Sequence, residues 1–264
     1  MVDPASKSFA VDIGNSSVKF NSRSDASQVQ RLSPEFDTQQ LEAVVDRPES
    51  GCATWFVCSV NRDTQQHFAK TVTAAFPKDS IVELEHGDVP LSTDDLCDRS
   101  KLGLDRLVAA FAARKSFNEE SLIVVDAGTA VTVDVVQGQS FKGGLIFPGP
   151  STSLSSLSAL TDALPDLAEK WKDVANTNRQ TIQIGTDSEP AILLGVHQHF
   201  VCGLVALVNQ LRNQHADAKV ICTGGVLKAC YASMGVDWEF VENLVLSGVS
   251  SVAAHRFNGD PSDG

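Results

Sequence analysis

Two stretches of this chain end a short apolar run on an aspartate, place a glycine two residues later and follow it with a hydroxyl or amide side chain. In FAVDIGNSSVKF (9–20), Asp12 leads into a turn of Gly14, Asn15, Ser16 and Ser17, with Lys19 just beyond. Such a turn suits an anion, because glycine lets backbone approach a phosphate while the hydroxyls and Lys19 supply donors. Asp12 at the strand end suits a hydrated Mg²⁺. The plainer reading is a tight hairpin with a solvated aspartate. In LIVVDAGTAVTVD (122–134), Asp126 and Gly128 align with Asp12 and Gly14, and Thr129 follows. A duplicated unit of this kind predicts two like-folded domains whose turns face each other across a central cleft. Repulsion between two such carboxylates asks for a cation between them, as a nucleotide and its metal provide.

Two further kinds of segment offer chemistry. KLGLDR (101–106) opens a helix with Asp105 and Arg106 in its first turn, where a carboxylate is favoured. Asp105 can take a proton from a hydroxyl and Arg106 can grip a carboxylate with two parallel hydrogen bonds, or both can be ordinary solvated residues. Glycine pairs occur in GGLIFPGP (143–150) and TGG (223–225), where they mark bulges, crowded backbone or a close approach to a ligand. No GxxxxGK[ST] and no GxGxxG is present, so the common phosphate loops are unsupported. His197 and His199 lie two apart on a helix and face different ways, which disfavours a metal. Ser155, Ser156 and Ser158 lack a nucleophile-elbow setting and read as exposed helix residues.

The elements that must hold these groups are legible from periodicity. Strands are expected at about 8–13, 17–22 and 28–32, then a helix near 37–46, a strand at 53–58, a helix at 62–76 and a strand at 81–84. A polar acidic stretch, 85–100, precedes the helix that begins after Gly103, with Leu104, Leu107, Val108 and Phe111 on its apolar face. The second half repeats the order with strands at 122–127, 130–136 and 140–147. A helix striped by Leu154, Leu157 and Leu160 stops near Pro165. A long helix at 189–213 takes Ser188 as N-cap and Pro190 in its first turn. A strand at 219–222 and helices at 226–234 and 243–256 flank a short strand near 238–241. Three strands, helix, strand, helix, strand, helix, given twice, is the order of the actin-like and sugar-kinase fold. The expected domains are 1–118 and 119–264.

The composition narrows the setting. The chain has 264 residues, 42% apolar and 20% charged, with net charge −12. An acidic surface argues against nucleic acid or a membrane surface as partner, so an anionic ligand must be drawn in locally. Six cysteines without a CxxC pair read as buried thiols in a reducing cytoplasm. MVDPASKS lacks the apolar core of a signal peptide, and no run is expected to reach the 18 or so apolar residues of a membrane span.

Taken in order, DIGNSSVK (12–19), GLDR (103–106), DAGTAVT (126–132), GGLIFPGPSTSLSSLSALTDALP (143–165) and TGG (223–225) resemble the type III pantothenate kinases. The resemblance runs from about 9 to 250, and its most specific part is the long GG-x-I-x-PG…T-x-x-LP block. It implies two ribonuclease-H-like (actin-like, ASKHA) domains, an obligate homodimer, and ATP-dependent phosphorylation of pantothenate at the start of coenzyme A synthesis. By the same resemblance Asp12 holds Mg²⁺, while Gly14, Asn15, Ser16, Lys19 and Thr129 contact phosphate. Asp105 is the catalytic base, with an ordinary carboxylate pKa near 3.9 sufficing for a late proton transfer. Gly103 and Arg106 contact pantothenate, and Asp126 binds a monovalent cation, K⁺ or NH₄⁺. Two features depart from the family. Its Tyr and Asn-Pro before GxDR correspond here to Leu96 and Asp98-Arg99, the only tyrosine being Tyr231. Its threonine that reaches the neighbouring subunit's pantothenate corresponds to Ser188, within Gly185–Ala191. An actin-like kinase of another small hydroxy acid and a non-catalytic regulatory paralogue are the alternative readings.

Overall fold

A computed structural model of the chain describes residues 7–23, 25–46, 51–94, 97–177 and 181–258. The chain divides into two units, one through Ser116 joined by the stretch from Asn243 on, the other Phe117–Glu242.

In the first unit, β1 (Lys7–Ile13), β2 (Val18–Ser22) and β3 (Asp25–Leu32) form an antiparallel meander. Helix α1 (Thr38–Val44) follows, then β4 (Ala53–Ser59), α2 (Arg62–Ala75), β5 (Ser80–Glu83), the two-residue β6 (Ser92–Thr93) and α3 (Leu104–Ser116). Strands β1, β4 and β5 run parallel, so the sheet order is β3-β2-β1-β4-β5. Local signals set the helix starts. Asp37 accepts from the Gln40 amide while the Gln40 side chain accepts from the Asp37 amide, and the Asn61 side chain caps α2 at the Thr64 amide.

Alternation along β1 decides what faces what. Phe9, Val11 and Ile13 enter an aromatic core with Phe20, Trp55, Phe68 and Val72. Trp55 stacks on Phe9 with ring centroids 4.2 Å apart, and its indole N–H donates to Asp79 at 2.8 Å. The opposite parity, Ala10 and Asp12 on β1 beside Phe56 and Cys58 on β4, belongs to the other face of the sheet. Helix α3 and the last helix, α7 (Leu244–Asn258), pack on β4, and α7 packs on β1 and β2 as well. The expected boundary at 118/119 therefore assigned α7 to the wrong half, since its partners α3, β1 and β4 all lie in the first unit.

The second unit repeats the plan. It contains β7 (Ser121–Ala127), β8 (Ala130–Gln137), β9 (Ser140–Pro148), α4 (Pro150–Ala159), α5 (Ser188–Gln214), β10 (Lys219–Thr223), α6 (Gly225–Met234) and β11 (Glu239–Phe240). Its strands follow the order β9-β8-β7-β10-β11, with β7–β9 antiparallel and β7, β10 and β11 parallel. Two mixed α/β units with the same strand order realise the expected double ribonuclease-H-like fold.

Several expectations need correction. The N-cap of α5 is Asp187, whose carboxylate accepts from the Glu189 amide, so Ser188 is the first helical residue. A carboxylate caps at least as well as a hydroxyl, and from position 187 it reaches the Glu189 amide, whereas two residues beyond Ser188 stands Pro190, which has no N–H to cap. Of the Leu154, Leu157, Leu160 stripe only Leu154 is buried, because α4 ends at Ala159 and leaves Leu160 84% exposed. Among the cysteines, Cys58, Cys222 and Cys230 are buried, but Cys52 and Cys202 are exposed. Helix α5 is long and apolar enough to cross a membrane by length and composition, contrary to the expectation. Its residues Leu193, His197, Phe200, Val201, Leu204 and Val208 recur at helical spacing and enter the core of the second unit, as in a core helix.

Candidate functional site

The first hairpin is built as its sequence requires. Asp12 and Lys19 stand opposite each other in the β1–β2 register, and Ile13 pairs with Val18. The Gly14 amide donates to the Ser17 carbonyl at 3.1 Å, which leaves Asn15 and Ser16 as an exposed two-residue tip. The tip is tied sideways: the Val60 amide donates to the Ile13 carbonyl at 3.1 Å, and the Asn61 amide group donates to Asn15 at 3.4 Å. Asn61 thus caps α2 and braces the turn, a role that its place before a helix signals only in part.

Asp12 is a largely buried carboxylate whose ion pair is with Lys19, 3.4 Å away. Burial pushes its carboxyl up from the ordinary range, and Lys19 holds it partly back. On the same face of the sheet, α3 delivers Asp105 in its first turn, where the carboxylate accepts from the Arg106 amide at 2.8 Å. Its carboxyl is also pushed up, chiefly by burial, with the charge of Asp12 adding to it. The ordinary carboxylate value expected for the base is thereby corrected: a carboxylate sharing a dry pocket with a second one holds its proton more tightly. Cys58, fully buried and in register with Asp12, lies near enough to both carboxylates that their charges help burial raise its thiol well above the usual range. No local signal in the sequence marks this thiol's place. Asp12, Lys19, Gly14, Asn15, Ser16, Gly103, Asp105 and Arg106 all belong to the first unit.

Beside these residues the first unit holds a cavity of about 740 Å³, lined among others by Asn61, Arg62, His86, Arg99, Lys101 and Gly103. Asn61 connects its wall to the Asn15 turn, and Gly103 leads directly to Asp105. Leu96, the position of the family's tyrosine, lies outside the described residues. Tyr231 is no substitute for it, since its hydroxyl donates to the Trp238 carbonyl within the second unit.

In the second unit the glycine motifs converge on the second aspartate turn. Asp126, the penultimate residue of β7, lies beside Thr132 on β8 and Thr223 on β10. The Gly149 and Thr152 groups at the start of α4 donate to the Thr129 carbonyl at 2.9 and 2.6 Å. A side chain on Gly149 would meet the Gly128 carbonyl at 2.2 Å, and one on Gly224, whose φ is +101°, would meet the Ala127 carbonyl at 2.2 Å. Gly149 and Gly224 are therefore backbone-to-backbone contacts around Asp126–Thr129. Gly144 stands apart from this cluster, opposite buried Asp134 and near a register shift in β8. Ser188 is exposed at the start of α5. His197 is buried and His199 exposed, and no group of three or more acidic, histidine or cysteine side chains suited to a metal occurs among the described residues.

Comparison with known proteins agrees with this geometry. Among solved structures, one from Campylobacter jejuni named for the Baf family of transcriptional activators superposes with TM-score 0.59 at 19% identity, over 96% of this chain and 99% of that one. A Sinorhizobium meliloti structure named as a 2-dehydro-3-deoxygalactonokinase gives TM-score 0.56 at 14% identity, over 94% and 96%. These likenesses establish the shared fold. In sequence, the type III pantothenate kinase of Desulfovibrio desulfuricans is 40% identical over 129 residues, 48% of this chain and 46% of that protein, so the match spans about half of the relative's length. The type III pantothenate kinase of Thiobacillus denitrificans is 30% identical over 248 residues, 92% of this chain and 95% of that protein. The family model for type III pantothenate kinase matches residues 8–212. With the doubled strand order, the paired aspartate turns and these matches, the chain belongs to the type III pantothenate kinase family.

Proposed function

We propose that this protein uses ATP to phosphorylate the primary hydroxyl of pantothenate, the first step of coenzyme A synthesis. The observation that carries this reading is the meeting of Asp12 and Asp105 on one sheet face beside the Gly14–Ser17 hairpin, two desolvated carboxylates with separate partners. Asp105 takes the hydroxyl proton as the bond to phosphorus forms, and Arg106 grips the substrate carboxylate with its planar fork. Gly103 lets the acid approach the start of α3. Gly14, Asn15, Ser16 and Lys19 hold phosphate.

The donor sets fit the ions that such a reaction uses. Asp12 is a desolvated carboxylate already facing a cation, which suits Mg²⁺, and the neighbouring Lys19 suits a phosphate. Asp126, flanked by Thr132 and Thr223, presents only oxygen ligands, as K⁺ or NH₄⁺ prefers. When bound, such cations offset the charge of the triphosphate.

The working unit is a homodimer in which Ser188 of each protomer reaches the neighbour's pantothenate. The exposed position of Ser188 supports this, as do Ala191, Gly195, Cys202 and Ala206, small residues exposed at helical spacing along α5. Six free thiols suit a reducing cytoplasm.

The test is ADP release measured with ATP, Mg²⁺ and a panel of small hydroxy acids, with and without potassium or ammonium. Turnover is expected with pantothenate and to depend on the monovalent cation. Turnover with another acid alone would replace the substrate, and none with any acid would leave a non-catalytic paralogue.

A further inference from the structure

Arg99 carries no role in the reading above, yet its guanidinium is committed more fully than any other described side chain near the site. Its Nε and one terminal nitrogen donate to the His86 carbonyl at 3.0 and 2.5 Å, and that nitrogen also donates to the Val89 carbonyl at 2.7 Å. The other terminal nitrogen donates to the Leu91 carbonyl. One side chain thus ties together three backbone carbonyls of the segment 86–91, two of which, those of His86 and Val89, also accept a local amide. The tie also runs back. The His86 ring meets the Leu102 carbonyl at 2.7 Å through Nε2, which therefore carries the proton in this contact. Leu102 is the residue before Gly103, and Asp105 follows two residues later.

Both ends of this arrangement are anchored. Asp98 caps the 3₁₀ turn Arg99–Lys101 through the Ser100 amide at 3.2 Å. On the other side Asp88 accepts from the Glu85 amide at 2.8 Å and pairs with Arg256 of α7 at 2.7 Å. The path α7, Asp88, segment 86–91, Arg99, Leu102, Gly103 is continuous within the first unit.

We propose that Arg99 and His86 form a two-way staple that fixes the Gly103–Arg106 turn, making both of them positioning residues for Asp105 and Arg106. A charged fork is the group suited to this work, because it donates to several carbonyls at once while holding a fixed plane, which an ammonium cannot do. The consequence for chemistry rests on the proposed reaction: a base displaced by about 1 Å costs on the order of 100-fold in turnover. The consequence for the backbone does not rest on it.

The experiment therefore has two arms. Amide hydrogen exchange by mass spectrometry on wild type, Arg99→Ala, Arg99→Lys and His86→Phe reads the turn directly. Exchange in peptides covering 97–106 is expected to rise about tenfold or more in Arg99→Ala and less in the other two, with peptides of α5 unchanged. Protection of 97–106 equal to wild type in Arg99→Ala and His86→Phe would overturn the staple, whether or not the protein phosphorylates pantothenate. In the kinetic arm turnover should fall roughly 100-fold in Arg99→Ala with KM for ATP within about twofold, and millimolar guanidinium should restore part of it. A loss shared equally by ATP affinity, or one that guanidinium leaves untouched, would make Arg99 a general stabiliser and end its positioning role. If wild type fails with every acid, the proposed reaction falls while the exchange arm still decides the staple. Should Arg99→Ala not fold, Arg99→Lys and His86→Phe carry both readouts.

Discussion

At the scale of single residues, burial determines how Asp105 behaves. Its carboxyl is raised by desolvation and by Asp12, so the folded chain holds that proton more tightly than the unfolded chain does. A group with a raised folded value costs stability at pH above it, and the cost disappears as pH falls through it. Asp105→Asn removes the charge while the amide oxygen can still accept from the Arg106 amide. Turnover with pantothenate is expected to drop by about 10²–10⁴-fold with nucleotide binding retained, and the thermal midpoint of the ligand-free protein at pH 7 to rise. The same shift places the acidic limb of the wild-type turnover profile above the ordinary aspartate range near 3.9. Wild-type turnover in the variant, or an acidic limb at or below that value, would remove Asp105 from the base role.

At the scale of elements, the glycines act by letting strands and helix starts touch. α4 begins directly over the Asp126–Thr129 turn, and Gly149 is the contact. Gly149→Ala would put a methyl carbon where the Gly128 carbonyl stands, so α4 must lift. The expected cost is about 1–3 kcal/mol in chemical denaturation of the second unit, together with weaker ATP binding in a calorimetric titration. Loss of stability with unchanged ATP affinity would show that the α4 start supports the fold alone. The α5 cap gives a second lesson in the same register. Because Asp187 and not Ser188 holds the Glu189 amide, the Ser188 hydroxyl is available for a partner and its removal does not uncap the helix.

At the scale of the whole molecule, that free hydroxyl makes the dimer testable. Ser188→Ala should raise KM for pantothenate by a factor corresponding to roughly 0.5–1.5 kcal/mol, the net value of one neutral hydrogen bond, with KM for ATP and the thermal midpoint unchanged. Sedimentation under assay conditions should find a dimer in both proteins. A fully active monomer would end the shared pocket, and an unchanged pantothenate KM would end the role of Ser188 in it. The exposed Ile182, Ile184 and Leu160, each at least 75% exposed, are apolar surface of the second unit that an interface would cover.

The sequence by itself determined the repeated strand–Asp–x–Gly–turn–strand units, the helix starts, and the pairing of Asp105 with Arg106 in a first helical turn. These are local matters: side-chain parity along a strand, a cap one residue before a helix and a glycine at a tight turn act over a few residues, so they can be read in order. Tertiary structure alone decided that Gly149 and Gly224 press on the second aspartate turn, that Cys58 lies by both carboxylates, and that Arg99 and His86 hold the segment before Gly103. It also returned α7 to the first unit, against a single boundary drawn at 118/119. The physical reason is the same in each case. Close backbone approach, desolvation of a carboxylate and the tying of loop carbonyls by a distant side chain depend on which elements pack together, and residues as far apart as Asp88 and Arg256 meet only when the chain folds.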